Sequence, residues 1–208
     1  MSDGLLLIGA SGLAREVIAA GIVGVVGILD DDPAREGTEI SGVPVLGPVS
    51  LAPARSDQLL ICVGPGAGRR SIVERLDEAG VREERYGIFA ARSARIGASS
   101  ELGAGSILLD SVVVTADAVL GRHVVVMPNC TITHDDVLED FVTLAAGVSL
   151  GGGVHVREGA YLGMNASVRQ GVVIGADAVI GMGAAVIGDV PEGRTWGGVP
   201  ARELGERR

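Results

Sequence analysis

The chain has 208 residues, with 26 acidic against 17 basic side chains, and carries a formal net charge of −9. That length fits one large domain or two small ones, and the acidic balance argues against a nucleic-acid partner, whose phosphates need a basic surface. Its two cysteines and three histidines lack the spacing of a metal site or a disulfide framework, so no metal is expected and Cys62 and Cys130 are expected to be plain buried thiols.

The first part of the chain, to about residue 85, reads as strand, glycine turn, helix, strand, loop, strand, strand, helix. Leu5 to Ile8 is a continuous apolar run of the buried parallel-strand type. Gly9-Ala10-Ser11-Gly12 makes a tight turn, and Leu13 to Ala20 follows as a helix. Val25 to Leu29 is the next strand and ends in Asp30-Asp31-Asp32. Gly42 to Gly47 and Leu59 to Val63 supply further strands, and Arg69 to Ala79 a second helix. The apolar stretch from Leu5 to Leu29 is broken by Arg15 and Glu16, which makes it a buried α/β segment and not a membrane span. No charged-then-apolar leader precedes it, so a cytoplasmic location is expected, with no membrane partner.

Glycines at a strand–helix junction let backbone N–H groups approach a diphosphate, and an acid about twenty positions on suits a ribose hydroxyl. Gly9, Ser11, Gly12, Asp30 and Asp31 have that spacing. The same residues also read as an ordinary turn and a solvated acidic loop. The segment is too short for a full dinucleotide fold, which favours a mononucleotide-type ligand over NAD.

From Ile96 to Val186 an aliphatic residue stands at every sixth position without a miss. Two residues before each sits a mostly small side chain, such as Ala94, Ser106, Ala118, Cys130, Ala160 or Ala178. A period of six fits neither a helix nor simple strand alternation. It predicts a coiled β-solenoid whose short strands bury their apolar face only by stacking on the next coil.

The Gly9–Gly12 turn, the LDDDP segment at 29–33, GVPVLG at 42–47 and hexads carrying His134-Asp135 together resemble a known group. They look like the bacterial sugar acyltransferases of the sialic-acid O-acetyltransferase-like group, which includes N-acetyltransferases of UDP-linked 4-amino sugars. The resemblance implies a small α/β, Rossmann-like domain over residues 1–88 that holds the nucleotide sugar. It implies a left-handed parallel β-helix of hexapeptide repeats over residues 89–208, three hexads to a coil. It further implies a homotrimer with acetyl-CoA in grooves between neighbouring β-helices. The closing Gly198-Val199-Pro200-Ala201-Arg202 is similar to the family segment that borders the CoA pocket, which assigns Val199, Pro200 and Arg202 to cofactor binding.

Acetyl transfer from a thioester needs a base for the attacking group and a donor for the tetrahedral oxyanion. His134 matches the family base, with Asp135 beside it to orient the ring, although Asp117 and Asp136 also lie close in the repeat. Asp136 falls in a small-residue interior slot and must find a partner there, His134 or a backbone N–H. At 18 residues per coil Gly152 comes one coil after His134, within reach of the reaction centre, and the resemblance implies that it supplies the oxyanion contact. Met164 and Met182 share a column; the resemblance implies that with Gly181 they line the pantetheine arm of acetyl-CoA, and ordinary outer packing is the alternative. His123 and His155 match no family position and are expected at the surface.

Two positions depart from the pattern. Leu13 and Thr143 stand where many relatives carry histidines on the substrate side. The sequence thus favours an acetyl-CoA-dependent N-acetyltransferase of a nucleotide-linked amino sugar in surface glycan synthesis. O-acetylation by the same residues and a degenerate trimeric scaffold are its rivals. A carbonic-anhydrase-like hexad protein would need histidine ligands at solenoid spacing, which this chain lacks.

Overall fold

The computed structural model describes residues 4–205. Its front part is a five-stranded sheet in the order β3-β4-β2-β1-β5. The strands are β1 (Leu5–Ile8), β2 (Val25–Leu29), β3 (Glu39–Ile40), β4 (Val43–Gly47) and β5 (Gln58–Ile61). All neighbours are parallel except β3 with β4. Helix α1 (Gly12–Ala19) links β1 to β2, and α2 (Gly66–Glu78) follows β5. Both helices begin one to three residues before the expected positions. Ser11 explains the first shift, because its hydroxyl accepts from the N–H groups of Leu13 and Ala14 and so caps the helix. A 3-10 turn at Val49–Ala54 was not expected; Asp31 caps it by accepting from Val49 N–H at 2.9 Å.

From Phe89 onward the chain winds into a prism of three parallel sheets. The first face runs from Arg95–Ile96 to Ala185–Val186, the second from Glu101–Leu102 to Val173–Ile174, and the third from Phe89–Ala90 to Thr195–Gly197. Up to Ala185–Val186 each strand is two residues long and pairs with the strand 18 residues away, as Val113 with Thr131 and Val125 with Thr143. The hexad aliphatics and the small residues two before them fill the interior: Leu108, Val126, Ile132, Ala118, Cys130 and Ala160 are fully or almost fully buried. The winding starts one strand earlier than the hexad pattern and closes on Trp196, against which Arg202–Glu203 returns antiparallel.

Corners follow a second six-residue rhythm. Every sixth residue from Gly105 to Gly183 has a positive φ. Glycine, Asp and Asn tolerate this left-handed conformation, but His123 (φ 54°) and Phe141 (φ 61°) also adopt it. For a bulky Phe such a backbone costs on the order of 1–3 kcal/mol and persists only where packing compensates. The two rings stack with centroids 5.4 Å apart, Tyr86 meets His123 edge-on, and Arg70 lies over Phe141.

These rings mark the seam between the front sheet and the solenoid, and Arg69 fastens it. Its side chain is completely buried. Nε donates to the His123 carbonyl at 2.8 Å, and one terminal nitrogen to the carbonyls of Val63 and Gly64. The other donates to the carbonyls of Phe141 and Val142 and to the Thr143 hydroxyl. The five-donor fork of Arg is thus matched by carbonyls from two consecutive coils and from the β5–α2 loop, with no carboxylate involved. Burial pulls its pKa down to about 9, so it stays charged at neutral pH. Expectation and structure differ on His123, which is buried and not at the surface. It matches no family position, but the corner column places it under the front domain. Burial, then the charges of Arg69 and Arg122, push it down to about 4, so the ring is neutral in the folded chain.

Replacing Arg69 by Ala orphans several buried carbonyls at once. Arg69→Ala is expected to lower the unfolding free energy by about 3 kcal/mol or more in denaturant titration; a change below about 1 kcal/mol would show that water satisfies the seam.

Candidate active site

His134, Asp135 and Asp136 lie in the corner between the first and second faces, after the strand Thr131–Ile132. His134 Nδ1 is 2.7 Å from Asp135 Oδ2, and both side chains are about two-thirds exposed. A carboxylate accepting at Nδ1 places the proton there and leaves Nε2 as the proton acceptor. The hydrogen bond and charge of Asp135 raise the His134 pKa above its ordinary value. Gly152 sits one coil on: a Cβ built there would land on the Cε1–Nε2 edge of the imidazole. Gly153 N–H donates to the His134 carbonyl at 2.9 Å, which fixes that stacking.

Asp136 takes the backbone alternative. Its side chain is buried in the solenoid interior, where Oδ1 accepts from Val154 N–H and Oδ2 from Thr133 N–H. Ser100 and Ser106 accept in the same way from the residue one coil on. Asp136 does more, because one coil earlier Thr115 N–H donates to the Ile132 carbonyl. At the next coil Thr133 N–H turns to Asp136, and the Thr133 hydroxyl reaches the Leu150 carbonyl instead. The ladder is rewired directly before His134. Burial raises the Asp136 carboxyl to about 6.

The large concavity lies elsewhere on the coil. The outward column of the third face shows why: Ile107 and Val125 are sealed beneath the front sheet, Thr143 is 4% exposed, and Tyr161 and Val179 are about 40% exposed. Where the covering ends, a cleft of about 1010 Å³ opens between the β5–α2 loop, α1 and the solenoid. Thr143, Tyr161, Met164, Met127, Arg70 and Glu16 are among its walls. A second cleft of about 780 Å³ continues toward the C-terminal end and holds Gly181 and Met182; Tyr161 and Val179 border both. Met164 and Met182 are neighbours in one column, since Gly183 N–H donates to the Met164 carbonyl. Val199 and Pro200 lie exposed in the closing turn, joined by a cis bond, and Arg202 donates to the Ala201 carbonyl.

The glycine turn is largely committed to the protein itself. Gly9 N–H donates to the Leu29 carbonyl, Ala10 N–H to Asp30 at 2.6 Å, and Leu13 and Ala14 N–H groups to Ser11. Asp31 is shared between Val49 N–H and Arg75. Only Ser11 and Gly12, of the residues from 9 to 14 other than helical Leu13 and Ala14, keep N–H groups without an acceptor among the described residues. Leu13 is 6% exposed and belongs to the apolar cluster with Leu7, Leu60 and Val125. Thr143 is held by Arg69 and donates to the Gly64 carbonyl at 3.2 Å. His155 is half-buried and pairs with Glu139 at 2.7 Å. Among the described residues, no group of three or more His, Cys, Asp or Glu is placed to hold a metal, and no helix is long and apolar enough to cross a membrane.

Solved structures share this architecture. A mutant of GDP-perosamine N-acetyltransferase from Caulobacter crescentus, in complex with CoA and GDP-perosamine, is 30% identical over 99% of both chains, with a TM-score of 0.89. The acetyltransferase domain of PglB from Neisseria gonorrhoeae, in complex with acetyl coenzyme A, is 30% identical over 98% of this chain and 100% of that one, with a TM-score of 0.87. The chain belongs to the bacterial sugar N-acetyltransferases of the hexapeptide-repeat family. WeeI from Acinetobacter baumannii is similar to this transferase at 27% identity over 97% of its length and 99% of WeeI, with a TM-score of 0.82. No family model matches the transferase, and neither does any curated protein.

Reasoning from sequence missed Glu16, Arg70 and Tyr161 in the cleft walls. Tyr161 was readable, being one coil after Thr143; the other two depend on how the front sheet docks. The contact at residue 152 gives a direct test: Gly152→Ala is expected to displace the imidazole and cut acetyl transfer on the order of 10²-fold, with thermal stability retained, and a near-wild-type rate would separate His134 from the chemistry.

Proposed function

We propose that the chain transfers the acetyl group of acetyl-CoA to the amine of a nucleotide-linked amino sugar used in surface glycan synthesis. The observation that carries this reading is the pairing of His134 with Asp135 over Gly152. It is supported by the solved neighbour that is a GDP-perosamine N-acetyltransferase in complex with CoA and GDP-perosamine. We divide the chain into a Rossmann-like nucleotide-sugar domain, residues 1–88, and a left-handed β-helix, residues 89–208. The two exposed N–H groups of Ser11 and Gly12, with Asp30 nearby, are the part of the turn left to meet the nucleotide. Met164, Gly181 and Met182 line the path for the pantetheine arm, with Val199, Pro200 and Arg202 at its far end.

His134 Nε2 takes a proton as the amine nitrogen attacks the thioester carbonyl. The N–C bond forms, the oxyanion is met by the Gly152 N–H, and collapse of the adduct breaks the C–S bond. The proton passes from His134 to the departing CoA thiolate. No acyl-enzyme is required.

Within one chain the base and the clefts occupy different corners of the triangular coil, His134 between the first and second faces and the clefts along the third. They meet only if a second copy brings its His134 corner to the cleft, which supports a homotrimer with shared sites. It also supplies the water exclusion that an exposed base otherwise lacks.

Two results test this. His134→Ala is expected to lower kcat by ~10²-fold or more, and Asp135→Asn to move the acid limb of the pH–rate profile to lower pH. The sign follows from Asp135 raising the His134 pKa: a base must be neutral, and without the carboxylate it becomes neutral at lower pH. An unshifted limb would leave Asp135 without the orienting role. In mixed trimers, His134→Ala co-expressed with a cleft-filling Ala146→Trp is expected to recover activity that neither variant shows alone; no recovery would mean each chain works with its own residues.

A further inference from the structure

The large cleft carries three charged side chains: Glu16, Arg70 and Asp177. Two of them are engaged with each other. Arg70 donates to Asp177 Oδ1 at 3.0 Å, and its Nε lies 3.0 Å from Glu158. Gly159 makes room for this group, because a Cβ there would meet both Arg70 and Asp177. Glu16 is different. It is exposed on α1, and among the described residues its carboxylate has no hydrogen bond or ion pair within the protein. It is also the only cleft-lining residue of α1, since Leu13, one turn earlier, is packed into the apolar cluster.

An uncompensated carboxylate beside the apolar surfaces of Met127, Ala145 and Met164 repels phosphate and attracts a cationic donor. Met127 belongs to the corner between the third and first faces, where a second copy's His134 corner would arrive. We propose that Glu16 is a specificity-determining residue that receives the amino group of the sugar and holds it for attack. This assignment rests on the transferase reading above. The amine enters as ammonium, bound through N⁺–H to the Glu16 carboxylate. It gives one proton to solvent water to reach the nucleophilic form and a second to His134 as the N–C bond forms, and His134 passes that proton to the CoA thiolate as the C–S bond breaks. The cleft thereby favours an amine over a hydroxyl at the accepting position, which makes the enzyme an N-acetyltransferase by electrostatics and not only by the reactivity of the amine.

The test compares wild type with Glu16→Gln, using acetyl-CoA and a panel of GDP-, UDP- and dTDP-linked 4-amino sugars. The counterpart of the best substrate with a hydroxyl in place of the amine is titrated as a competitor. Glu16→Gln is expected to raise KM for the amino sugar about tenfold or more and to shrink the preference for amine over hydroxyl by a similar factor. Acetyl-CoA affinity, measured by calorimetry, is expected to stay unchanged. Unaltered KM and preference in an active enzyme would overturn the role of Glu16 and leave the transferase reading standing. A parallel loss of acetyl-CoA affinity would make Glu16 structural and also overturn it. Failure of the wild type to acetylate any sugar of the panel would remove the reading and this assignment together.

Discussion

Main-chain hydrogen bonds that recur at an interval of 18 residues hold the solenoid, and every other feature of the molecule is placed by them. A two-residue strand cannot bury an apolar face or satisfy its own backbone; stacked on identical strands, it does both. The ladder forces each corner into the same left-handed conformation, which explains why Asp, Asn and Gly recur there. It also puts Gly152 against His134 without any contribution from side-chain packing. Within the regular coils the ladder is rewired at the Thr133–Asp136 segment, beside His134, and again at the closing coil, where Val173 N–H donates to Asp189. At the first of these an interior carboxylate substitutes for a strand partner and sets the path of the chain through residues 134 and 135.

The second constraint is the seam. A solenoid edge offers corner carbonyls that no neighbouring coil takes up, and covering them with a domain would leave them unsatisfied. Arg69 resolves this with a single side chain, because its planar fork serves carbonyls of both coils and of the β5–α2 loop. The buried neutral His123 and the strained Phe141 are tolerated under this cover. Acid weakens it: the folded-state pKa of His123 is depressed, so its contribution is complete above 6.5 and is lost as the pH falls toward 4.

Much of this was legible in the residues. The hexads from Ile96 to Val186 define the interior, and the 18-residue interval brings Gly152 against His134. Strands β1, β2 and β5 follow from their continuous apolar runs. The features that were not legible depend on contacts between distant segments. Nothing in the run GAGRRSIVE distinguishes a buried Arg69 from a half-buried cleft residue Arg70. His123 looks like any polar corner residue until the 18-residue column is aligned with Tyr86. Asp30 and Ser11 have the spacing of ligand contacts, yet much of their hydrogen-bonding capacity goes to the turn they shape.

Ladder and corner rhythms together make length a discrete variable in this molecule. Six residues added or removed would keep every corner conformation but turn all later side chains onto the next face, separating columns such as 107-125-143-161. Eighteen residues would restore the faces and shift every later coil by one strand spacing of about 4.8 Å. Between Arg69's two coils, or between His134 and Gly152, even a whole coil would break a contact the molecule uses. Beyond Asp177, the last solenoid residue that Arg70 holds, it would only lengthen the clefts. Growth or trimming in multiples of a coil at that end is therefore the one route by which such a chain could change the reach of its clefts while leaving its His134 corner and its docked front sheet untouched.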